Sequence, residues 1–156
     1  STHHEATLWR PNQGGSGFTI TDLGDLDTEV VGGAHYFDYA YAINDYGLVV
    51  GSSAYADPNE INPWCVGRPG FSWTDSSGLV PISEEDSFPY CMWATDTMDV
   101  NNADQILGWA LNLVGTEDAV IWPGPVLVQC AGGWGESYGG PAAPRWAMND
   151  YAQMVY

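Results

Sequence analysis

Several groups of residues have types and spacings that suit chemistry. Gly135-Glu136-Ser137-Tyr138-Gly139 fits the G-x-S-x-G pattern of a nucleophile elbow. That pattern exposes its serine only between a strand and a helix, and Gly140-Pro141-Ala142-Ala143-Pro144 follows it, which cannot be helical. The histidines are His3, His4 and His35, and nothing in the spacing joins them to Ser137. Asp25, Asp27 and Glu29 alternate along the chain. In an extended segment they share one face, which suits an oxygen-ligated calcium ion. The glycine spacing of an EF-hand is absent, and three solvated loop acids explain the same pattern. Paired carboxylates would also serve a polysaccharide hydrolase, but twenty acids supply many accidental pairs.

Trp64, Tyr90, Trp93, Trp134 and Tyr138 stand in segments rich in Gly and Pro. Such loop aromatics stack on sugar rings or dock against a neighbouring subunit; capping small local cores is the structural alternative. The cysteines are Cys65, Cys91 and Cys130. No pair has the close spacing of a zinc site. Cys65 and Cys91 flank one stretch of chain and would pair as a disulfide in an oxidising compartment. Cys130 is then left over, either buried or bonded to another chain. The sequence begins at Ser1 rather than Met, which fits a processed secreted protein or a partial chain.

The charge balance narrows the partners. Twenty acids stand against three arginines, Arg10, Arg68 and Arg145, with no lysine, for a net charge of −17. Such a chain repels nucleic-acid phosphates and anionic membranes, and no apolar run approaches the roughly 20 residues of a membrane span. Hydrophobic residues make up 45% of the 156, enough for a packed core. Nineteen glycines and ten prolines leave no long run with a clean helical period. Val, Ile, Thr and aromatic residues fill the gaps, so the composition favours an all-β protein.

A threefold degenerate repeat organises the strands. Ala42–Gly51, Asp99–Gly108 and Ala147–Tyr156 align without gaps, each reading apolar, Asn, a short polar turn, then an apolar strand. A short strand closing on tryptophan precedes each hairpin: Ala6-Thr7-Leu8-Trp9, Gly70-Phe71-Ser72-Trp73 and Ala119-Val120-Ile121-Trp122. The three tryptophans lie 64 and 49 residues apart, and Asn44, Asn101 and Asn149 lie 57 and 48 apart. These periods sit near the roughly 40–50 residues of a propeller blade. The reading is three four-stranded propeller-like units, approximately 5–53, 69–110 and 118–156, with Trp9, Trp73 and Trp122 in their cores. The asparagine fixes each turn by bonding its side chain to backbone two residues on. Gly47 supplies the positive φ that the next position needs. Asp104 tolerates that conformation, whereas Ala152 fits it poorly, so the third turn is expected to differ or be strained.

Ala40-Tyr41-Ala42-Ile43-Asn44-Asp45-Tyr46-Gly47-Leu48-Val49-Val50-Gly51-Ser52 resembles the A-x-A-I-N-x-x-G-x-V-V-G-x-S signature of the bacterial extracellular HAF repeats. Thr21-Asp22-Leu23-Gly24-Asp25-Leu26 is similar to that family's T-D-L-G-x-L segment, and the Trp-ending strands to its H-A-F-x-W strand. The resemblance covers most of the first unit and the skeleton of the other two. No His stands in any Trp strand, and Asp104 and Ala152 replace the hairpin glycine. It implies an exported, propeller-like protein of a family with no established catalytic role.

The expectation is therefore a secreted, non-enzymatic, structural or adhesive repeat protein located outside the cell or on its surface. Its copies associate as a filament or a ring through the strand at Ala6, Leu8 and Trp9 and the strand at Met154 and Tyr156. The third hairpin stops at Tyr156, where the first continues into Gly51 and Ser52, which leaves an edge for strand addition. The rivals are a carbohydrate-binding module that uses the loop aromatics and a polysaccharide hydrolase. No cofactor is implied beyond calcium at Asp25, Asp27 and Glu29.

Overall fold

Alternating apolar residues between Gly-, Asn- and Ser-rich turns fold as short antiparallel strands. The structure, a computed structural model, describes residues 5–24, 38–53, 70–82, 96–111, 117–122, 129–130 and 147–155. These contain β1 (Thr7–Pro11), β2 (Phe18–Asp22), β3 (Asp38–Ile43), β4 (Val49–Ser53), β5 (Gly70–Thr74) and β6 (Gly78–Pro81). They continue with β7 (Asp96–Val100), β8 (Ile106–Leu111), β9 (Glu117–Trp122), β10 (Gln129–Cys130), β11 (Ala147–Met148) and β12 (Met154–Val155). The protein is all-β. Among the described residues no helix is long and apolar enough to cross a membrane.

The pairing departs from the units drawn on the sequence. β3-β4-β5-β6 form one four-stranded sheet and β7-β8-β9-β10 another, each a simple antiparallel meander. β1-β2 and β11-β12 are two-stranded. The Trp strands β5 and β9 therefore pair with the hairpin before them, not the one after, while β1 pairs with β2 alone among the described residues. β4 joins β5 across the 54–69 connection, setting Val49 against Trp73, and β8 joins β9, setting Ile106 against Trp122. Three equal units of four strands are thus replaced by two complete sheets between two half-sheets. β1-β2 corresponds to the second half of a sheet and β11-β12 to the first. Leu23 N–H donates to the Ala6 carbonyl just as Ile82 N–H donates to that of Gly70, at 3.0 and 2.9 Å, so β1-β2 ends as β5-β6 does.

Close packing explains the glycines of the inner strands. Both complete sheets carry a register shift in their first strand, between Ala40 and Ala42 and between Thr97 and Asp99. Gly51 and Gly108 sit opposite these shifts. A Cβ on Gly51 would collide with the Tyr39 carbonyl and the Phe71 ring, and one on Gly108 with the Asp96 carbonyl and the Trp122 ring. The missing side chain admits an aromatic ring from the next strand.

The layers stack face to face over two apolar clusters. Leu48, Val50 and Ile82 of the first complete sheet meet Val100, Ile106, Val120 and Trp122 of the second. On its other face Val49, Phe71 and Trp73 meet Ala6, Leu8 and Leu23 of the β1-β2 half-sheet. Arg10 of β1 forms a bidentate pair with Asp75 at 3.0 and 2.7 Å and lies 5.7 Å above the Trp73 ring, closing the rim of this layer. At the far end the Met148 N–H donates to Asp99 at 2.7 Å, tying β11 to β7. Each sheet presents its Trp-bearing face to the layer before it.

Candidate assembly interface

The three Asn turns share one geometry. Gly47, Asp104 and Ala152 N–H groups donate to the carbonyls of Asn44, Asn101 and Asn149 at 3.0–3.1 Å. The three asparagine N–H groups receive no different treatment, donating to the carbonyls of Leu48, Gln105 and Gln153. Each Oδ1 accepts two backbone N–H groups, from Tyr46 and Leu48, from Ala103 and Gln105, and from Tyr151 and Gln153. Gly47, Asp104 and Ala152 all take positive φ, at 86°, 58° and 56°. Ala152 thus keeps the left-handed conformation that glycine or aspartate adopts more easily. The third turn is strained rather than different.

The turns also stack on one another. Asn44 Nδ2 donates to the Asn101 carbonyl at 3.0 Å, and Asn101 Nδ2 donates to the Asn149 carbonyl at 3.1 Å. Beside them the Asp45 N–H donates to Asn102 Oδ1 at 2.9 Å, and the Asn102 N–H donates to Asp150 Oδ1 at 2.8 Å. Asn102 Nδ2 returns a bond to Asp45 Oδ2 at 2.9 Å and lies 3.5 Å from Asp150 Oδ2. The reading of these asparagines as local turn residues captured the Oδ1 half of their work. The amide N–H groups of Asn44 and Asn101, which bind the next turn, lie outside that local reading. The signal is Asn at all three positions: Asp caps a turn equally well but cannot donate, and Ser has a single donor hydrogen on the same atom that accepts, whereas Asn carries its donors on a separate nitrogen.

Among the described residues the outer layers are two-stranded. Trp73 and Trp122 are 5% and 0% exposed, whereas Trp9, at the same strand position, is 59% exposed. Its expected place in a core is not observed. The reason is geometric: β5 and β9 each have a hairpin strand alongside and a layer in front, and β1 has neither among the described residues. Phe18 and Ile20 lie exposed with Trp9, and the Trp9 and Phe18 ring centroids are 6.2 Å apart. Ile43, aligned with Val100, is 51% exposed against 6%. Val100 packs on the preceding hairpin through Leu48; no described hairpin precedes Ile43. At the opposite end the outer edge of β12 is the one that β4 and β8 give to a Trp strand.

Of the self-association residues read from the sequence, Ala6 and Leu8 pack toward the first complete sheet and Trp9 faces outward. Met154 lies in β12. Tyr156 is outside the described residues. So are the loop aromatics Trp64, Tyr90, Trp93, Trp134 and Tyr138, the acids Asp25, Asp27 and Glu29, the Cys65–Cys91 pair, and Ser137 of the G-x-S-x-G segment. Cys130 ends β10, paired with Val120. Among the described residues no group of three or more His, Cys, Asp or Glu is placed to hold a metal ion. Comparison with known proteins returns no matching protein family, no matching curated protein and no matching solved structure.

Proposed function

We propose that this chain is a non-enzymatic structural repeat protein, secreted to the cell surface or beyond, whose copies assemble through their two half-sheets. β12 of one copy adds to β1 of the next, antiparallel, as β4 adds to β5 and β8 to β9. Extending that register sets Met154 opposite Trp9 and Val155 opposite Leu8. The joint makes a further four-stranded sheet, so each copy contributes two sheets of its own and one that is shared. In this reading the sheets are propeller-like blades. The contact is heterologous, so copies add head to tail. Two copies that close on each other give a ring of six blades; an operation that does not close gives a filament, which we favour for a durable, lysine-free extracellular material.

The exposure of Trp9 carries this reading. The same strand position is buried wherever a hairpin and a layer precede it, and Trp9 lacks both among the described residues. Exposed apolar faces of this kind mark interaction surfaces, and an open strand edge is a template for strand addition. Light scattering and electron microscopy of the full chain test the proposal. Particles of many copies are expected, and deletion of residues 1–9 is expected to abolish them. A full chain that remains monomeric at high concentration overturns it.

A further inference from the structure

We infer that the row of Asn turns is a directional joint: the third turn of one copy donates to the first turn of the next and sets the order and register of assembly. This rests on the edge-to-edge reading above and adds a second, polar surface to it. Within the chain the first and second turns each donate forward from the Asn Nδ2 and from the N–H of the following residue, and Asn44 Nδ2 donates once more, to Asp104 Oδ1 at 2.8 Å. The acceptors common to both steps are the next turn's Asn carbonyl and the side-chain oxygen of the residue after it. The two steps repeat with distances of 3.0 and 3.1 Å for the first bond and 2.9 and 2.8 Å for the second. The row is therefore polar, with a donating end and an accepting end.

Both ends are open among the described residues. In the third turn Asn149 Nδ2 donates only within its own turn, to Gln153 Oε1 at 2.8 Å, which leaves one amide hydrogen and the Asp150 N–H facing onward. In the first turn the Asn44 carbonyl accepts only from Gly47, and Asp45 gives one oxygen to Asn102, leaving the other. The donors at one end match the acceptors at the other in type and number. The occupant that fits the first turn is thus the third turn of a second copy. The hairpin that brings these donors is β11-β12, the same one whose edge pairs with β1, and its arrival also covers Ile43 as the first hairpin covers Val100. One docking movement satisfies the edge, the apolar face and the turn row together.

The joint differs from the interior in one respect. Inside the chain the residue after each Asn alternates Asp45, Asn102, Asp150, so an amide always lies between two carboxylates. At the joint Asp150 of one copy meets Asp45 of the next, with no amide between them. Like charges at this spacing oppose each other. Replacing one of them by Asn restores the interior arrangement and strengthens the joint.

The test is the critical concentration for assembly of the full chain, read by light scattering, for the wild type, Asn149→Asp, Asp45→Asn and Glu60→Gln. Asn149→Asp keeps the Oδ1 cap of its turn and removes the forward amide donor; it is expected to raise the critical concentration about tenfold or more. Asp45→Asn is expected to lower it several-fold, about 3- to 10-fold, while Glu60→Gln, which removes the same charge at a sequence position outside the three turns, does much less. A wild type that never assembles overturns the edge-pairing proposal and this joint with it. A wild type that assembles alongside an unchanged Asn149→Asp, or an Asp45→Asn no better than Glu60→Gln, overturns the joint and leaves edge pairing standing. Should Asn149→Asp fail to give a native near-ultraviolet circular dichroism spectrum, Asp150→Pro and Asp150→Ala replace it. Both remove the acceptor for the Asn102 N–H, but only proline, which suits this turn position, removes the forward N–H. Equal critical concentrations for these two variants overturn the joint.

Discussion

The stacked turns make a graded stability series the sharpest test of the fold. Asn44 is 8% exposed and makes four hydrogen bonds, two accepted from its own turn and two donated to the next, the second reaching Asp104 at 2.8 Å. Asn149 makes three, all within its own exposed turn. Asn44→Ala removes all four and leaves the buried Leu48 N–H without this acceptor. A net value of about 0.5–1.5 kcal/mol per bond, with a penalty for the buried donor, gives a loss of about 3 kcal/mol. Asn149→Ala, whose groups return to water, costs about 1 kcal/mol. Asn44→Asp divides the effect further. It keeps both accepted bonds, loses both donated ones and sets a carboxylate beside that of Asp104, so a loss of about 2–3 kcal/mol is expected. Urea unfolding followed by tryptophan fluorescence measures the differences, and in heat the alanine change at Asn44 corresponds to a fall in Tm of about 6–12 °C. Equal costs at Asn44 and Asn149 would refute the stacking of the turns, and a silent Asn44→Asp would refute the donated bonds.

Four further outcomes follow from the packing. Gly108→Ala places a Cβ against the Asp96 carbonyl and the Trp122 ring, and a loss of about 3 kcal/mol in urea unfolding is expected; a neutral change would contradict the close approach. Trp73→Ala and Trp122→Ala each empty a core position and are expected to cost about 3–5 kcal/mol. Trp9→Ala, by contrast, is expected to leave the unfolding midpoint of dilute, unassembled protein nearly unchanged and to weaken assembly, so an equal loss of stability at all three tryptophans would show that Trp9 is a core residue. Copies that each carry a net charge of −17 repel one another, so raising salt from about 10 to 150 mM is expected to promote assembly by shortening the Debye length from about 30 to 8 Å; assembly that weakens with salt would point to an attraction between opposite charges instead.

Strands and turns were legible because local chemistry specifies them. Asn44-Asp45-Tyr46-Gly47 encodes its turn outright, and most strands among the described residues fall on segments of alternating or β-branched residues. The pairing of Trp strands with hairpins was not legible in the same way. A repeat has no intrinsic starting point, and a Trp strand that lies between two hairpins in sequence fits next to either. What settles the phase is steric and long-range. Gly51 and Gly108 leave room for Phe71 and Trp122, which come later in the chain, so the first two hairpins are shaped for the strand that follows them. A glycine inside an apolar strand announces a close approach, but its partner is visible only in the fold. The forward bonds of the asparagines were hidden for the same reason: they join residues 57 and 48 positions apart, where a local turn motif carries no information.

In the proposed assembly the polar row matters because the apolar face alone does not settle the outcome. Trp9, Phe18, Ile20 and Ile43 are each more than half exposed. Burying the exposed part of each contributes about 1–2 kcal/mol, or about 4–8 kcal/mol together. Bringing two copies into one fixed orientation costs about 4–15 kcal/mol. The face alone therefore lands near balance, and it has little directionality, since an apolar surface accepts many orientations. The ladder bonds of β12 on β1 and the two forward bonds of the turn row require one register. A ladder slipped by two residues keeps its faces in place and still hydrogen-bonds, but it carries the Asn149 turn away from the Asn44 turn and leaves its donors without their acceptors. The row thus separates the correct register from the nearest competing one by two hydrogen bonds, about 1–3 kcal/mol, or roughly a 5- to 150-fold preference. Interior steps gain the same discrimination from covalent connection, which is why Asn102 can be an amide without consequence for order, whereas the joint must be specified by Asn149, Asp150, Asn44 and Asp45 themselves.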